Sequence, residues 1–276
     1  RMWQAAATKQ NVETLLQRGH VLVEPGQGDL ACGEKGHGRL ASLDEILMHG
    51  LRSLTEQDLA GMKILITLGP TREFWDAVRF WSNPSSGRMG ASLAVAAWLR
   101  GAEVHAVCGP CSLWLPSEVR RHDVESAQDM YETCVELWPG MDAGCFTAAV
   151  ADFTPVPPEQ DGKFKKSGTD ALEVSFTATP DILGTLGPQK QEHQRILGFA
   201  AETPEQDGDL LTQAKGKLSR KNADMIAANP VNEAGSGFAS DTNRLLVTDR
   251  TGRVEDWPQL PKTTAAWRLL DWLWQL

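Results

Sequence analysis

One short run limits what this chain can fold into: Ile64-Leu65-Ile66-Thr67-Leu68, closed at once by Gly69-Pro70. A segment this apolar, without polar alternation, suits a strand covered on both faces, and the Gly-Pro pair turns the chain at its carboxyl end. Downstream the same kind of segment recurs between helical ones. Strands are expected over 103–108, 145–150, 172–177, 196–200 and 225–228, and helices over 90–100, 126–137, 180–186, 210–221 and 263–276. A hairpin over 244–254 turns at Thr251-Gly252. This alternation predicts an α/β fold, a Rossmann-like, open, mostly parallel sheet with helices on both faces.

Residues 1–61 differ. They are glycine-rich through Gly26, Gly28, Gly33, Gly36 and Gly38 up to a helical stretch over 42–54, and read as the tail of a separate unit, leaving 62–276 as the main domain. Residues 153–169, rich in Pro and Lys, interrupt the alternation at a length beyond an ordinary connection and read as a functional flap.

Charge narrows the partners. Twenty-seven Lys plus Arg against 36 Asp plus Glu give −9, which argues against coating nucleic acid but leaves room for a basic pocket holding a small phosphorylated molecule. The longest apolar run, 89–99, falls short of the roughly 20 residues of a membrane span. The chain opens without a basic-then-apolar leader, and its five scattered Cys suit reduced thiols, so a cytoplasmic protein is expected. Ten Trp against one Tyr has no functional reading.

Two motif matches fail on context. Gly26-Gln27-Gly28 through Ala31 has dinucleotide-fingerprint spacing, but the glycines that follow cannot continue as the helix whose N-terminus would hold a pyrophosphate. Cys108-Gly109-Pro110-Cys111 has the spacing of a redox site, yet Pro116 arrives too early for the helix that would lower a thiol pKa. Stronger is Asn83-Pro84-Ser85-Ser86-Gly87-Arg88-Met89-Gly90, which runs into a helix and supplies hydroxyls, glycines and free N–H groups for an anion. Thr71, Arg72, Glu73, Asp76, Arg79 and Asp152 also fall beyond carboxyl ends of strands, where ligands bind in open α/β sheets. Lys163, Lys165 and Lys166 in the flap, with Lys217 and Lys221 on one helix face, suit a triphosphate. No His shows metal-ligand spacing and no nucleophilic triad is visible, so the chemistry expected is positioning and charge neutralisation.

Gly69-Pro70-Thr71-Arg72-Glu73, Val78-Arg79, Ser82-Asn83, Ser85-Ser86-Gly87, Met89-Gly90, Ala148-Ala149-Val150-Ala151-Asp152, Lys163-Phe164-Lys165-Lys166, Gly198 through Thr203, Arg220-Lys221-Asn222 and Gly237 through Asp241 occur in this order. The series resembles the synthetase domain of the bacterial bifunctional phosphopantothenoylcysteine decarboxylase/phosphopantothenate–cysteine ligase family of coenzyme A biosynthesis, over roughly residues 62–276. Met2-Trp3, Ala7-Thr8, Asn11 and Ala31-Cys32-Gly33-Glu34 are similar to the end of the family's decarboxylase domain, a flavoprotein-like unit. The resemblance makes Cys32 the decarboxylase proton donor and implies FMN for that half, whose flavin-holding part precedes the matching segment.

What the resemblance implies for the ligase is specific. CTP activates 4′-phosphopantothenate as an acyl-cytidylate with loss of pyrophosphate, Mg²⁺ assists, and the L-cysteine amine displaces CMP. By similarity Gly69, Ser86, Gly87, Phe146, Thr147, Ala148, Thr177, Ala178, Thr179, Pro180 and Phe199 line the nucleotide. Asp152 hydrogen-bonds it, and Lys163, Lys217 and Lys221 neutralise its phosphates. Asn83, assisted by Arg79, holds the acyl-cytidylate. Trp75, Trp81 and Pro84 depart from the family pattern. The alternatives weighed are a non-catalytic regulatory subunit and a thioredoxin-like protein. A homodimer is expected, both from the family and because Trp267, Leu269, Leu270, Trp272, Leu273, Trp274 and Leu276 give the last helix more apolar surface than one stripe buries. With the decarboxylase half the assembly would be larger.

Overall fold

The computed structural model describes residues 2–29, 33, 35–157, 162–164, 171–203, 209–230 and 240–276. The chain divides into two compact units, residues 1–58 with 99–101, and residues 59–98 with 102–276.

The first unit carries the helices Ala6–Gln17 and Leu43–Leu54, the second capped by Ser42, whose Oγ accepts from Glu45 N at 3.2 Å. Between them Gly26–Asp29 pairs antiparallel with Lys35–Arg39, Gly28 opposite Gly36. The glycines of the apparent dinucleotide fingerprint therefore sit in a reversing ribbon.

The second unit is built on an eight-stranded sheet. Six strands are parallel, in the spatial order Arg120–Asp123, Glu103–Cys108, Lys63–Leu68, Ala143–Phe146, Arg195–Glu202, Met225–Pro230. Numbered along the chain this is 3-2-1-4-5-6, the doubly wound order, with its switch point between Lys63–Leu68 and Ala143–Phe146. The hairpin Thr242–Asp249 and Val254–Pro261 extends one edge antiparallel. Leu65, Val107, Phe146, Ile196 and Ile226 pack under Met130 and Cys134 of the helix Ala127–Leu137, Ile182 and Leu186 of Ile182–Leu186, and Leu210 and Ala214 of Asp209–Arg220. On the opposite face lie Arg88–Leu99, whose Gly90 abuts Leu68, and Lys262–Leu273, whose Trp272 Nε1 donates to Asp249 Oδ2 at 2.7 Å.

Several expectations change. The strand expected over 145–150 ends at Phe146, because Thr147 N and Ala148 N turn to the Thr67 hydroxyl oxygen at 3.1 and 3.2 Å. Residues 172–177 do not enter the main sheet: Phe176–Ala178 pairs antiparallel with Phe153–Pro155, inside the stretch read as a flap. A similar ribbon joins Arg72–Phe74 to Phe80–Ser82. Of the apolar residues of the last helix, Leu269, Leu270, Trp272 and Leu273 are buried within the chain, while Trp267, Trp274 and Leu276 are half-buried. The exposed large apolar residues include Phe74, Phe80, Trp81, Phe153 and Phe176 on the two ribbons. Among the described residues no helix is long and apolar enough to cross a membrane.

Candidate functional site

Loops at the switch point converge because three glycines let them. Gly69 and Gly87 adopt φ of +82° and +75°, and a Cβ on Gly87 would lie 3.0 Å from Gly69 N, one on Gly69 3.0 Å from Gly109 O. At Gly69 the loops thus pack too closely for a side chain. Gly87 closes the turn into the helix, with Ser85 Oγ accepting from its N–H at 3.3 Å. The first N–H groups of an α-helix have no intrahelical acceptor and are free to meet an anion.

The loop 147–152 is stapled from several sides. Thr147 Oγ1 donates to Thr67 O at 2.6 Å, Ala151 N to Thr71 Oγ1 at 3.1 Å, and Thr179 Oγ1 to Ala151 O at 2.5 Å. Asn83 Nδ2 donates to Val150 O at 3.0 Å and Ala149 O at 3.3 Å. The amide nitrogen of Asn83 is therefore committed to the backbone, leaving its oxygen to act in the pocket it lines.

Two pockets flank this loop. The first, about 290 Å³, lies between the helix start (Ser85, Ser86, Gly87, Arg88) and the C-terminal strands, which contribute Asn229 and Asn243, with Lys262 from the last helix. The second, about 360 Å³, runs from Phe146 to Thr179, Pro180 and Asp181, and is walled by Arg220 and Lys221. Ala148, Val150, Asp152, Phe199 and Lys217 line both.

The cations are held by carboxylates. Lys217 Nζ is 2.8 Å from Glu202, and Lys221 pairs with Asp181. Asp181 also caps the Ile182–Leu186 helix, accepting from Gly184 N at 2.8 Å. Its burial would raise its pKa, but Lys221 and the Gly184 N–H outweigh that and lower it. Lys262 is buried, donates to Ser240 O, and has its pKa pushed down by burial and by nearby Arg88, against Asp241.

The expected site residues separate accordingly. Ser86, Gly87 and Thr147 line the first pocket only; Phe146, Thr179, Pro180 and Lys221 the second only. Thr177 and Ala178 are exposed on their ribbon and line neither of these two. Arg79 and Lys163 come together elsewhere. Arg79 pairs with Asp76 and donates to Phe164 O at 3.3 Å, Phe164 N donates to Asp76 Oδ2 at 3.0 Å, and Lys163 is exposed between these partners. Trp75 packs on Phe164 with ring centroids 5.0 Å apart, and Trp81 on Phe176 at 4.9 Å, which accounts for both unusual tryptophans. Cys32, Lys165 and Lys166 lie outside the described residues. Burial pushes the Cys108 thiol up to about 12, the reverse of a redox-active cysteine. Arg88 and Arg220 had appeared only as members of motifs, and Asn229, Asn243, Lys262 and Asp181 were not anticipated; the available signal for Asn243 was a polar residue in the inward phase of the strand Thr242–Asp249.

A doubly wound sheet with an anion cradle and a second cationic pocket at its switch point defines a nucleotide- or phosphate-binding α/β protein. The sequence profile of the DNA/pantothenate metabolism flavoprotein C-terminal domain matches residues 59–276, and the chain belongs to that family. It is 41% identical over 255 residues to a cysteine/cysteine sulfinic acid decarboxylase of an unknown prokaryotic organism, covering 90% of this chain and 69% of that protein. It is 39% identical over 274 residues to the coenzyme A biosynthesis bifunctional protein CoaBC of Bacillus subtilis (strain 168), covering 98% of this chain and 66% of that protein. The chain thus spans about two thirds of these curated relatives. A crystal structure of a CoaBC C-terminal domain aligns with a TM-score of 0.65 at 38% identity, covering 79% of this chain and 96% of that one.

Proposed function

We propose that the chain is a CTP-dependent phosphopantothenate–cysteine ligase of coenzyme A biosynthesis. The observation that carries this is the pair of adjoining pockets sharing Asp152, Phe199 and Lys217. A reaction joining a nucleotide to a second phosphorylated substrate needs two such sites with a common wall where the reacting groups meet.

In this reading CTP occupies the second pocket, its base end near Phe146, Thr179 and Pro180 and its phosphates toward Lys217, Arg220 and Lys221. The Gly87–Gly90 helix start, with Ser86 and Gly87, offers N–H and hydroxyl donors to the nucleotide's phosphates across the shared wall, and 4′-phosphopantothenate approaches beside Asn83. The carboxylate then reaches the α-phosphorus beside Asp152 and Lys217. Displacement expels pyrophosphate, whose charge Lys217 and Lys221 neutralise on exchanging their carboxylate partners for phosphate oxygens. Asn83, tied to the 149–150 backbone, keeps its loop in place while the L-cysteine amine attacks the acyl carbon and CMP leaves. Mg²⁺ is held chiefly by nucleotide phosphates and needs only one or two protein carboxylates; the exposed Asp152 fits that need, and the ion, when bound, would neutralise phosphate charge. FMN and Cys32 belong to the decarboxylase half, and the ligase uses neither.

A cytoplasmic location accords with free Cys108, Cys134 and Cys145, all buried. A homodimer accords with the exposed aromatic ribbons, which would meet across the interface; the mass in solution tests it.

The direct test supplies the purified chain with 4′-phosphopantothenate, L-cysteine and each of the four nucleoside triphosphates. CTP should yield CMP and pyrophosphate together, and failure to form CMP would overturn the reading. Lys163→Gln should slow pyrophosphate release about 100-fold if its charge meets the phosphates in the transition state; unchanged release would remove Lys163 from the machinery.

A further inference from the structure

The first parallel strand and the loop 147–152 stay paired through their backbones as far as Ala149, whose N–H donates to Gly69 O at 2.9 Å and which bridges to Pro70. Two residues on, a side chain takes over: Ala151 N donates to Thr71 Oγ1 at 3.1 Å. Thr71 O accepts in turn from Ser82 Oγ at 2.7 Å, and Ser82 ends the strand Phe80–Ser82 opposite Arg72. Asn83 follows, and its Nδ2 reaches back to Val150 O at 3.0 Å and Ala149 O at 3.3 Å. These contacts close a ring that runs from Thr71 through Ser82, Asn83, Val150 and Ala151 to Thr71 again.

Thr71 is fully buried. A valine would fill the same space, but it would leave the Ala151 N–H buried without an acceptor, so the hydroxyl is there for the bond and not for the shape. What that bond holds gives it a second consequence. Ala151 precedes Asp152 and Ser82 precedes Asn83, and both Asn83 and Asp152 lie outside helix and strand while lining the same pocket. Their separation is therefore fixed by the ring and not by regular structure. Thr71 itself lines neither pocket.

We infer that Thr71 is a positioning residue for the ligation, its hydroxyl and carbonyl setting the distance between Asp152 and Asn83 without touching a substrate. The inference rests on the proposed ligase reading and deepens it. The acid that approaches beside Asn83 meets the α-phosphorus beside Asp152, and groups that must react in a fixed geometry lose on the order of 100-fold in rate when displaced by about 1 Å. With Oγ1 gone the ring opens, and Asn83 alone ties the loop.

The test is steady-state kinetics of the full chain with CTP, 4′-phosphopantothenate and L-cysteine, alongside thermal denaturation, for the wild type, Thr71→Val, Thr71→Ser and Ser82→Ala. Thr71→Val should lower kcat about tenfold or more and leave the KM for CTP within about threefold, because Phe146, Pro180, Lys217 and Lys221 lie outside the ring. Thr71→Ser keeps the acceptor and loses a buried methyl, so it should melt below the wild type yet keep kcat within about twofold. Ser82→Ala opens the ring at an exposed residue and should lower kcat in the same direction, which keeps the question answerable if Thr71→Val does not fold. Combined with Thr71→Val it should add little further loss, since the two act on one network. A kcat that follows the melting temperature across the variants, and not the hydroxyl, would make Thr71 a structural residue only and overturn the inference. So would a loss confined to the KM for CTP, or wild-type kcat in both Thr71→Val and Ser82→Ala. If the wild type itself forms no CMP, the ligase reading fails, and this inference with it.

Discussion

Asp76 shows how much of the chain's polar chemistry organises loops rather than reacts. Burial alone would raise its pKa, but N–H donors from Arg79, Val78 and Phe164, with the Arg79 charge, hold it at about 2. A depressed carboxylate stabilises the fold above its ordinary range, and that contribution is lost as pH falls from about 4 through about 2. Asp76→Asn should therefore lower the melting temperature at pH 7, with the gap to wild type closing toward pH 2; a gap independent of pH would refute the assignment. Gly90 is the steric counterpart. A Cβ there would lie 2.5 Å from both Leu68 Cβ and Thr147 Oγ1, so Gly90→Ala should cost about 1–3 kcal/mol in a denaturant melt. The sequence announced Gly90 as part of a glycine-rich loop, and the structure gives the reason: helix and strand approach too closely for a side chain. Asn243 and Lys262 gave no such warning, because a pocket wall assembled from the far end of the chain leaves no local pattern near the cradle.

At the level of elements, legibility followed local physics. The helices beginning after Ser42 and Ser126 were readable because each serine is a cap: Ser126 Oγ accepts from Asp129 N at 3.1 Å while the Asp129 carboxylate accepts from Ser126 N at 2.9 Å. Ser126→Ala should lower stability by about 1 kcal/mol and leave the turnover of CTP unchanged, since no residue of that helix lines either pocket; an effect on turnover would mean that the helix helps to position the site. The edge strand Arg120–Asp123 escaped notice because Arg-Arg-His-Asp carries no apolar alternation, and its charges suit an edge. The ribbon of Arg72–Phe74 with Phe80–Ser82 escaped for another reason, its three-residue strands being too short to show a period, while the strand expected over 172–177 is shortened to Phe176–Ala178 and paired outside the main sheet. Their pairing depends on contacts that only the folded chain supplies.

For the whole molecule, the alternation of segments was enough to predict a doubly wound sheet, but not which strand ends would meet. That is decided by strand order, which places residues 83–90 and 147–152 on opposite sides of one switch point although some sixty residues separate them. The boundary of the domain follows from packing in the same way. A start at residue 62, taken from the first apolar strand, overlooks Leu59, which is fully buried and whose carbonyl accepts from Met62 N at 3.1 Å. The family match and the division into compact units both begin at 59. A fragment of residues 59–276 should therefore fold and turn over CTP, whereas one of residues 62–276 loses a core leucine. Emptying such a site costs about 2–5 kcal/mol, a large share of the roughly 5–15 kcal/mol that holds a domain together. The shorter fragment should melt well below the longer one, and Leu59→Ala in the longer fragment should reproduce most of the difference. Equal melting temperatures for the two fragments would show that Leu59 only fills space and that the domain begins at its first strand.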